Sequence, residues 1–270
     1  MMTSKKSKRQ QEIIEILQQL KGATVKQLAT QLNVSEMTIR RDLRWLEEQQ
    51  LIQIISGVAF VNKSTQTKLD TPSPTQSIYS ININTHLMQP EKQMIGKVAA
   101  TLLQENDIVG IDIGTTTEKL SQQISDDLSF TALVFSANNL LHLLAKPNAT
   151  ILLSGGRFHR DTGMFEQANH LNVIEGTRTT KFFLSAAGVH ENLGITCANE
   201  YEVLVKNTMI KNTLQTILVA DSSKFGHVSS SYVGDLSSVD TIVTDSKLTE
   251  EWRELIHSLD IELIIADTSL

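Results

Sequence analysis

Seven short apolar runs between residues 108 and 265 constrain this chain more than any other feature. They are Ile108 to Ile113, Ala132 to Phe135, Thr150 to Leu153, Phe182 to Ala186, Ile217 to Ala220, Thr241 to Val243 and Ile261 to Ile265. Stretches with helical spacing lie between most of them, and another, about Glu91 to Leu103, precedes the first. Strands that alternate with helices pair in parallel, because each helix carries the chain back to the edge where the next strand starts. The pattern predicts an α/β domain with a largely parallel sheet. Ligands of such sheets sit beyond the carboxyl ends of the strands. With 40% hydrophobic and 20% charged residues, the chain has enough apolar material for a packed core.

The first 60 residues follow another pattern. Ile13, Ile14, Ile16, Leu17 and Leu20 mark a helix from Lys8 to Leu20 that Gly22 ends. Thr24 can cap a short second helix whose inward residues are Val25, Leu28, Ala29 and Leu32. After Asn33-Val34, Ser35 is a suitable N-cap for a third helix to about Gln50, with Ile39, Leu43 and Leu46 on one face. Thr38, Arg40, Arg41 and Arg44 project elsewhere. Two short helices, a brief turn and an Arg-bearing second helix make a helix-turn-helix, which sets its second helix in the major groove of DNA. Leu51 to Val61, with a turn at Ser56-Gly57, reads as a hairpin wing.

Charge supports this division. Residues 1–63 hold ten Lys/Arg against six Asp/Glu, leaving fourteen basic and twenty-four acidic side chains in the rest. An acidic body with a basic end suits a protein that meets a polyanion with that end alone. Between the two, Asn62 to Ser77 has seven Ser/Thr in sixteen residues and two of the four prolines, Pro72 and Pro74, and reads as a linker. The expected organisation is a winged helix-turn-helix over 1–63, a linker over 64–77 and an α/β domain over 78–270. The basic start MMTSKKSKRQ lacks the apolar stretch of a signal peptide, and no apolar run approaches the ~18 residues of a membrane span. A cytoplasmic protein without membrane contact is expected. The single cysteine, Cys197, excludes an internal disulfide and a four-thiol metal site.

The best candidate for ligand chemistry is IDIGTTTEK, Ile111 to Lys119. Gly114 allows a sharp turn after the strand, and the helix that follows offers free N–H groups and a positive dipole end. The hydroxyls of Thr115, Thr116 and Thr117 can donate to a phosphate, or the turn is an ordinary one that threonine caps. Asp112 lies in the same turn. Gly155-Gly156 permits close backbone approach, and Ala187-Gly188 keeps a strand end uncluttered. Asn138 either bonds ligand hydroxyls or caps a helix, and Lys224 either meets a phosphate or pairs with Asp221. Arg157 and Arg160 suit a phosphate or the open surface equally. The DIGTTT run also looks like the first phosphate loop of sugar kinases, but it sits mid-chain before a helix, and no Walker-type GxxxxGK[ST] exists. Zinc-type HxxxH or HExxH spacing and a GxSxG elbow are also missing.

VSEMTIRRDL, Val34 to Leu43, resembles the recognition-helix signature of the DeoR family of bacterial sugar-responsive regulators. LLSGGRFHRDTGMF, FLSAAGVH and VADSSKFG resemble that family's sensor domain, so the likeness spans roughly residues 8–267. The family usually carries Gly-Gly in the wing where this chain has Ser56-Gly57. By position, the resemblance implies Ser35, Thr38, Arg40 and Arg41 as DNA contacts, with Arg44 on phosphate. The effector set expected from the loops described above is Asp112, Gly114, Thr115, Thr116, Thr117, Asn138, Gly155, Gly156, Gly188 and Lys224. The resemblance further implies a homo-oligomeric repressor without cofactor or metal, and a fold shared with ribose-5-phosphate isomerase. SAAGVH, Thr196-Cys197 and VGDL are most similar to the deoxyribonucleoside-operon subgroup, which makes deoxyribose-5-phosphate the first candidate effector and double-stranded operator DNA the partner.

An enzyme of the isomerase type, or a sugar kinase, carrying a DNA-binding domain is the competing class. The isomerases use a carboxylate base, and the equivalent spacing before Asp221 lands on Lys206. Their acidic turn corresponds to Ala187-Gly188-Val189-His190, with no acid before Glu191. The expectation is therefore a binding site without catalytic residues.

Overall fold

The computed structural model describes residues 5–20, 22–48, 51–55, 58–61, 88–167 and 172–267. The chain divides into two compact units, Met1–Gln76 and Ser77–Leu270. The Ser56-Gly57 turn, positions 49–50 of the third helix and the Asn62–Ser77 linker lie outside the described residues.

The first unit is a three-helix cluster with a small sheet. Its helices are α1 (Lys5–Leu20), α2 (Val25–Gln31) and α3 (Glu36–Glu48). Strands β1 (Ala23–Thr24), β2 (Ile52–Ile55) and β3 (Val58–Val61) pair antiparallel in the order β1-β3-β2. Thr24 caps α2 in a capping box, accepting from Gln27 N at 3.2 Å while Gln27 Oε1 accepts from Thr24 N at 2.8 Å. Ser35 Oγ accepts from Thr38 N at 3.2 Å at the start of α3. Ile13, Leu17, Leu28, Ile39, Leu43 and Leu46 form the core, so the apolar stripes of all three helices meet as their spacing predicted.

The second unit is built on a seven-stranded sheet formed by all seven apolar runs. Its strands are β4 (Ile108–Ile111), β5 (Phe130–Val134), β6 (Ala149–Leu153), β9 (Thr179–Leu184), β12 (Thr213–Val219), β14 (Thr241–Asp245) and β15 (Glu262–Ala266). All neighbours are parallel, in the order β15-β14-β12-β9-β4-β5-β6. Successive residues feed opposite faces. Val134, Phe183, Val219 and Val243 pack under α4 (Gln89–Ala100), α5 (Thr115–Gln123) and α6 (Ala137–Leu143). Leu133, Phe182, Leu218 and Ile242 pack under α7 (Asn172–Gly176), α8 (Glu200–Lys211) and α9 (Glu250–Ser258). A strand covered on both faces needs unbroken apolar sequence, which is why these runs were legible.

Some expected bounds shift. β4 ends at Ile111 because Asp112 and Gly114 turn the chain out of the sheet, and α4 starts at Gln89, one residue before Pro90. Five short antiparallel strands had no signal. β7 (Arg157–His159) pairs with β8 (Met164–Glu166), and β10 (Gly188–His190), β11 (Gly194–Cys197) and β13 (Ser231–Gly234) form a second small sheet. No helix among the described residues is long and apolar enough to cross a membrane.

Candidate functional site

On the first unit, α3 turns Ile39, Leu43 and Leu46 inward and leaves Arg40, Arg41 and Arg44 exposed. Met37, Thr38, Arg40, Arg41 and Arg44 line one surface depression. Arg40 pairs with Glu36 at 3.3 Å in solvent, which ties it weakly. Beneath this face, buried Asp42 accepts from Arg9 Nε at 2.5 Å and Gln10 Nε2 at 3.5 Å, fixing α3 on α1. Met37, 76% exposed, is a residue that the polar pattern did not flag; its thioether can meet a thymine methyl group.

On the second unit, the strand order reverses at β4. The chain moves from β4 to β5 and β6 on one side, then returns to β9 on the other. Open α/β sheets bind ligands in the crevice at such a switch point. Here Asp112 follows β4 and Ser185 follows β9. Asp112 Oδ2 accepts from Ser185 N at 2.8 Å, from Ser185 Oγ at 2.8 Å and from Lys206 Nζ. Lys206, on α8, also lies 3.5 Å from Glu202 Oε2 and donates to Ser185 O at 3.3 Å. Burial acts to lower the Lys206 pKa, but Asp112 and Glu202 outweigh it and raise the value. Burial likewise raises Glu202, against the pull of Lys206. Lys206 is therefore a fixed cation, suited to holding Asp112 and unsuited to abstracting a proton. The other Asp112 oxygen, Oδ1, is buried with no hydrogen-bond partner among the described residues.

The turn after Asp112 opens a helix. Gly114 has φ +138°, where a side chain is strained, and a Cβ there would stand 3.3 Å from the Ser185 side chain. No side chain caps α5 at this end, so its first N–H groups point outward without a side-chain acceptor. The Thr117 hydroxyl is fully buried and donates to Gly114 O at 3.0 Å, which engages its proton within the turn. Thr115 and Thr116 remain at the mouth of the helix. Asn138 Nδ2 donates to Gly114 O at 3.4 Å and Glu118 Oε2 at 3.3 Å, while its buried Oδ1 has no hydrogen-bond partner among the described residues. Asn139, which sequence reading passed over, braces the same turn by donating to Asp112 O at 2.7 Å.

Two glycines have another role than the one expected. A Cβ on Gly156 would lie 2.2 Å from Glu166 O, and one on Gly188 would lie 2.6 Å from His227 O. Both make room for the protein's own backbone. Gly155 has φ +63° and open space around it. Arg157 and Arg160 are exposed. The hairpin they belong to is anchored by Thr162, bonded to Tyr201 at 3.2 Å, and by the His159 ring stacked on Tyr201 at 3.9 Å. Lys224 sits in a short turn after β12, but Asp221 does not pair with it. Asp221 faces Lys92 of α4 at 3.8 Å instead and accepts from Ser223 N at 3.1 Å. Lys92 and Lys206 had a readable signal, because each occupies an apolar stripe: Lys92-Ile95-Gly96-Ala99 and Glu202-Val205-Lys206-Met209. Among the described residues no group of three or more His, Cys, Asp or Glu is placed to hold a metal ion.

Family comparisons agree with both units. The DeoR-like helix-turn-helix domain matches residues 9–65, and the DeoR C-terminal sensor domain matches residues 88–246. The deoxyribose operon repressor of Escherichia coli K12 is 31% identical over 261 residues, covering 96% of this chain and 99% of that protein. The transcriptional repressor GlcR of Bacillus subtilis is 29% identical over 255 residues, 94% of each chain. Among solved structures, ribose-5-phosphate isomerase A of Methanocaldococcus jannaschii is 12% identical with TM-score 0.38, covering 50% of this chain and about half (53%) of that one. A likeness of that size carries no chemical argument. The matched domains, an exposed arginine helix and a crevice whose lysine is locked to carboxylates describe a regulator, not an enzyme. The chain belongs to the DeoR family of transcriptional regulators.

Proposed function

We propose that this protein represses a sugar or nucleoside catabolic operon and leaves its operator when a phosphorylated sugar fills the crevice at Asp112. The observation that carries this reading is the uncapped start of α5 directly after Gly114, two residues from the unpartnered Oδ1 of Asp112. A helix N-terminus receives an anion, and a buried carboxylate oxygen that lacks a donor receives a hydroxyl. One small molecule with both groups is a sugar phosphate. Deoxyribose-5-phosphate is the first candidate, supported by the name of the 31% identical relative.

In this reading Thr115, Thr116 and Gly114 cradle the phosphate, and Asp112, Asn138 and Gly155 line the sugar. Ser35, Thr38, Arg40 and Arg41 read base edges and Arg44 meets phosphate. Paired half-sites call for at least two copies of the chain.

The test is a thermal-shift screen of deoxyribose-5-phosphate, ribose-5-phosphate, glucose-6-phosphate and the free sugars. A ligand that binds only the folded state raises its apparent stability. A phosphorylated sugar should shift the sensor transition and dissociate the operator complex, and the free sugars should do neither. Thr116→Glu, which sets a carboxylate where the anion belongs, should abolish the shift, and Thr116→Val should weaken it. Wild-type response in both variants rejects this site.

A further inference from the structure

The two edges of the seven-stranded sheet are built differently. At one, β15 carries Glu262 and is flanked by Asp260 and Asp267, all exposed. Charges of this kind keep a strand edge from pairing with another chain. At the other, β6 and the residues after it, ATILLSGG from Ala149 to Gly156, hold no charge. Among the described residues β6 pairs with β5 alone, and no residue of β6 is buried. Ser154 N donates to Val134 O at 3.1 Å, so by the alternation of a strand the backbone groups of Ile151 and Leu153 face away from β5. Ile151 packs toward α4–α6 and Leu152 toward the opposite layer, which puts Leu153, 39% exposed, on the α6 face. Helix α6 adds to this surface. It is the outermost helix of its layer, packed on β5 and β6 with α5 on its inner side. Asn138, Asn139 and His142 bond to α5, while Leu140 and Leu143 pack on the sheet. At about 3.6 residues per turn, Leu141 (69% exposed) and Leu144 (65%), just past the helix end, fall on the flank away from α5, toward β6.

We propose that a second copy of this chain docks on the β6 edge, with its Leu141, Leu144 and Leu153 meeting the same three residues across a twofold axis. The inference rests on the reading that paired half-sites take two copies, and it names the surface that joins them. Charge favours this occupant. Residues 64–270 hold fourteen basic and twenty-four acidic side chains, so two such bodies repel each other except where neither presents charge. Geometry favours it too. A twofold axis at the edge sets the two β6 strands antiparallel, and the outward N–H and C=O groups of one meet those of the other. Such an isologous contact closes on itself, leaves no charged group buried within β6, and supplies the pair of helix-turn-helix units that two half-sites need.

The experiment is analytical ultracentrifugation of the full chain over a concentration series. The wild type should sediment as a dimer, or as a larger assembly that contains it. Leu141→Glu combined with Leu144→Glu should weaken self-association by about tenfold or more, because two exposed apolar contacts become like charges facing each other. Leu153→Lys, which places on this edge the kind of charge that guards β15, should act in the same direction. Circular dichroism should show an unchanged fold in both variants, since all three leucines are exposed. Leu214→Glu is the control: Leu214 is 84% exposed at the start of β12, away from the edge, and its variant should assemble as wild type does. Wild-type assembly in both edge variants overturns this surface and leaves the two-copy reading standing. Equal loss in the Leu214→Glu control makes the effect one of charge rather than of place and also overturns it. A wild-type chain that stays monomeric overturns both the surface and the two-copy reading and leaves the face to another occupant. The sugar-phosphate reading is judged separately, by the thermal-shift screen.

Discussion

The two units handle charge in opposite ways. In the first, Arg40, Arg41 and Arg44 stand in solvent, while buried Asp42 pairs with Arg9 to set the helix. In the second, the charges at the crevice are buried and paired: Lys206 with Asp112 and Glu202, Lys92 with Asp221. On the proposed function, the ligands explain the difference. A duplex is a long polyanion whose counterions are displaced by mobile surface cations, so exposure costs nothing and speeds encounter. A small molecule must be distinguished from its relatives, which requires polar groups held rigidly away from water.

That contrast can be broken by experiment, starting with its largest consequence. Limited proteolysis should cut between Asn62 and Ser77 and separate the functions altogether, leaving a fragment from about Ser77 that binds effector but no operator. Cleavage confined to 91–267 would mean that the units are not independent. Next, Lys206→Met leaves Asp112 and Glu202 buried without their cation and should destabilise the sensor by about 3–5 kcal/mol. Urea denaturation should show this loss in the sensor transition while the helix-turn-helix transition stays put; a change below about 1 kcal/mol would show that the buried ions are dispensable.

Effects on the exposed side should be smaller. Arg40→Ala or Arg41→Ala should cost about 1–3 kcal/mol of operator affinity with no loss of fold, if each meets a guanine edge. Gel-shift titrations on operator and random duplex will show whether the loss is specific to the operator. The smallest effect belongs to Arg44→Ala. It should weaken both duplexes alike and reduce the slope of log K against log salt by about 1. Operator-specific loss at Arg44 would move that residue from phosphate to base reading.

The head was readable almost throughout, because local rules decide it. Thr24 and Ser35 cap the helices expected of them, and the three apolar stripes converge. The crevice was readable in part. The turn at Gly114 follows from a glycine after an apolar run, and its φ of +138° bears that out. Thr117, Gly156 and Gly188 have a packing role that sequence reading did not show. Each looks outward in sequence, yet its hydroxyl or bare Cα meets the protein's own backbone. The buried pairings of Lys92, Ser185 and Lys206 were missed because their partners lie far along the chain, 129 residues away in the case of Lys92 and Asp221 and 94 in that of Lys206 and Asp112.

What the sequence determined by itself is what short-range periodicity and capping can encode. That covers the winged helix-turn-helix, the seven strands, the class of the second unit and the separation of basic head from acidic body. The order of the strands, and with it the reversal at β4 that opens the crevice, was decided only by tertiary structure. So was the pairing of lysines on apolar stripes with carboxylates from other strands. A buried charge is stable only beside its partner, and which partner it meets depends on sheet order rather than on distance along the chain.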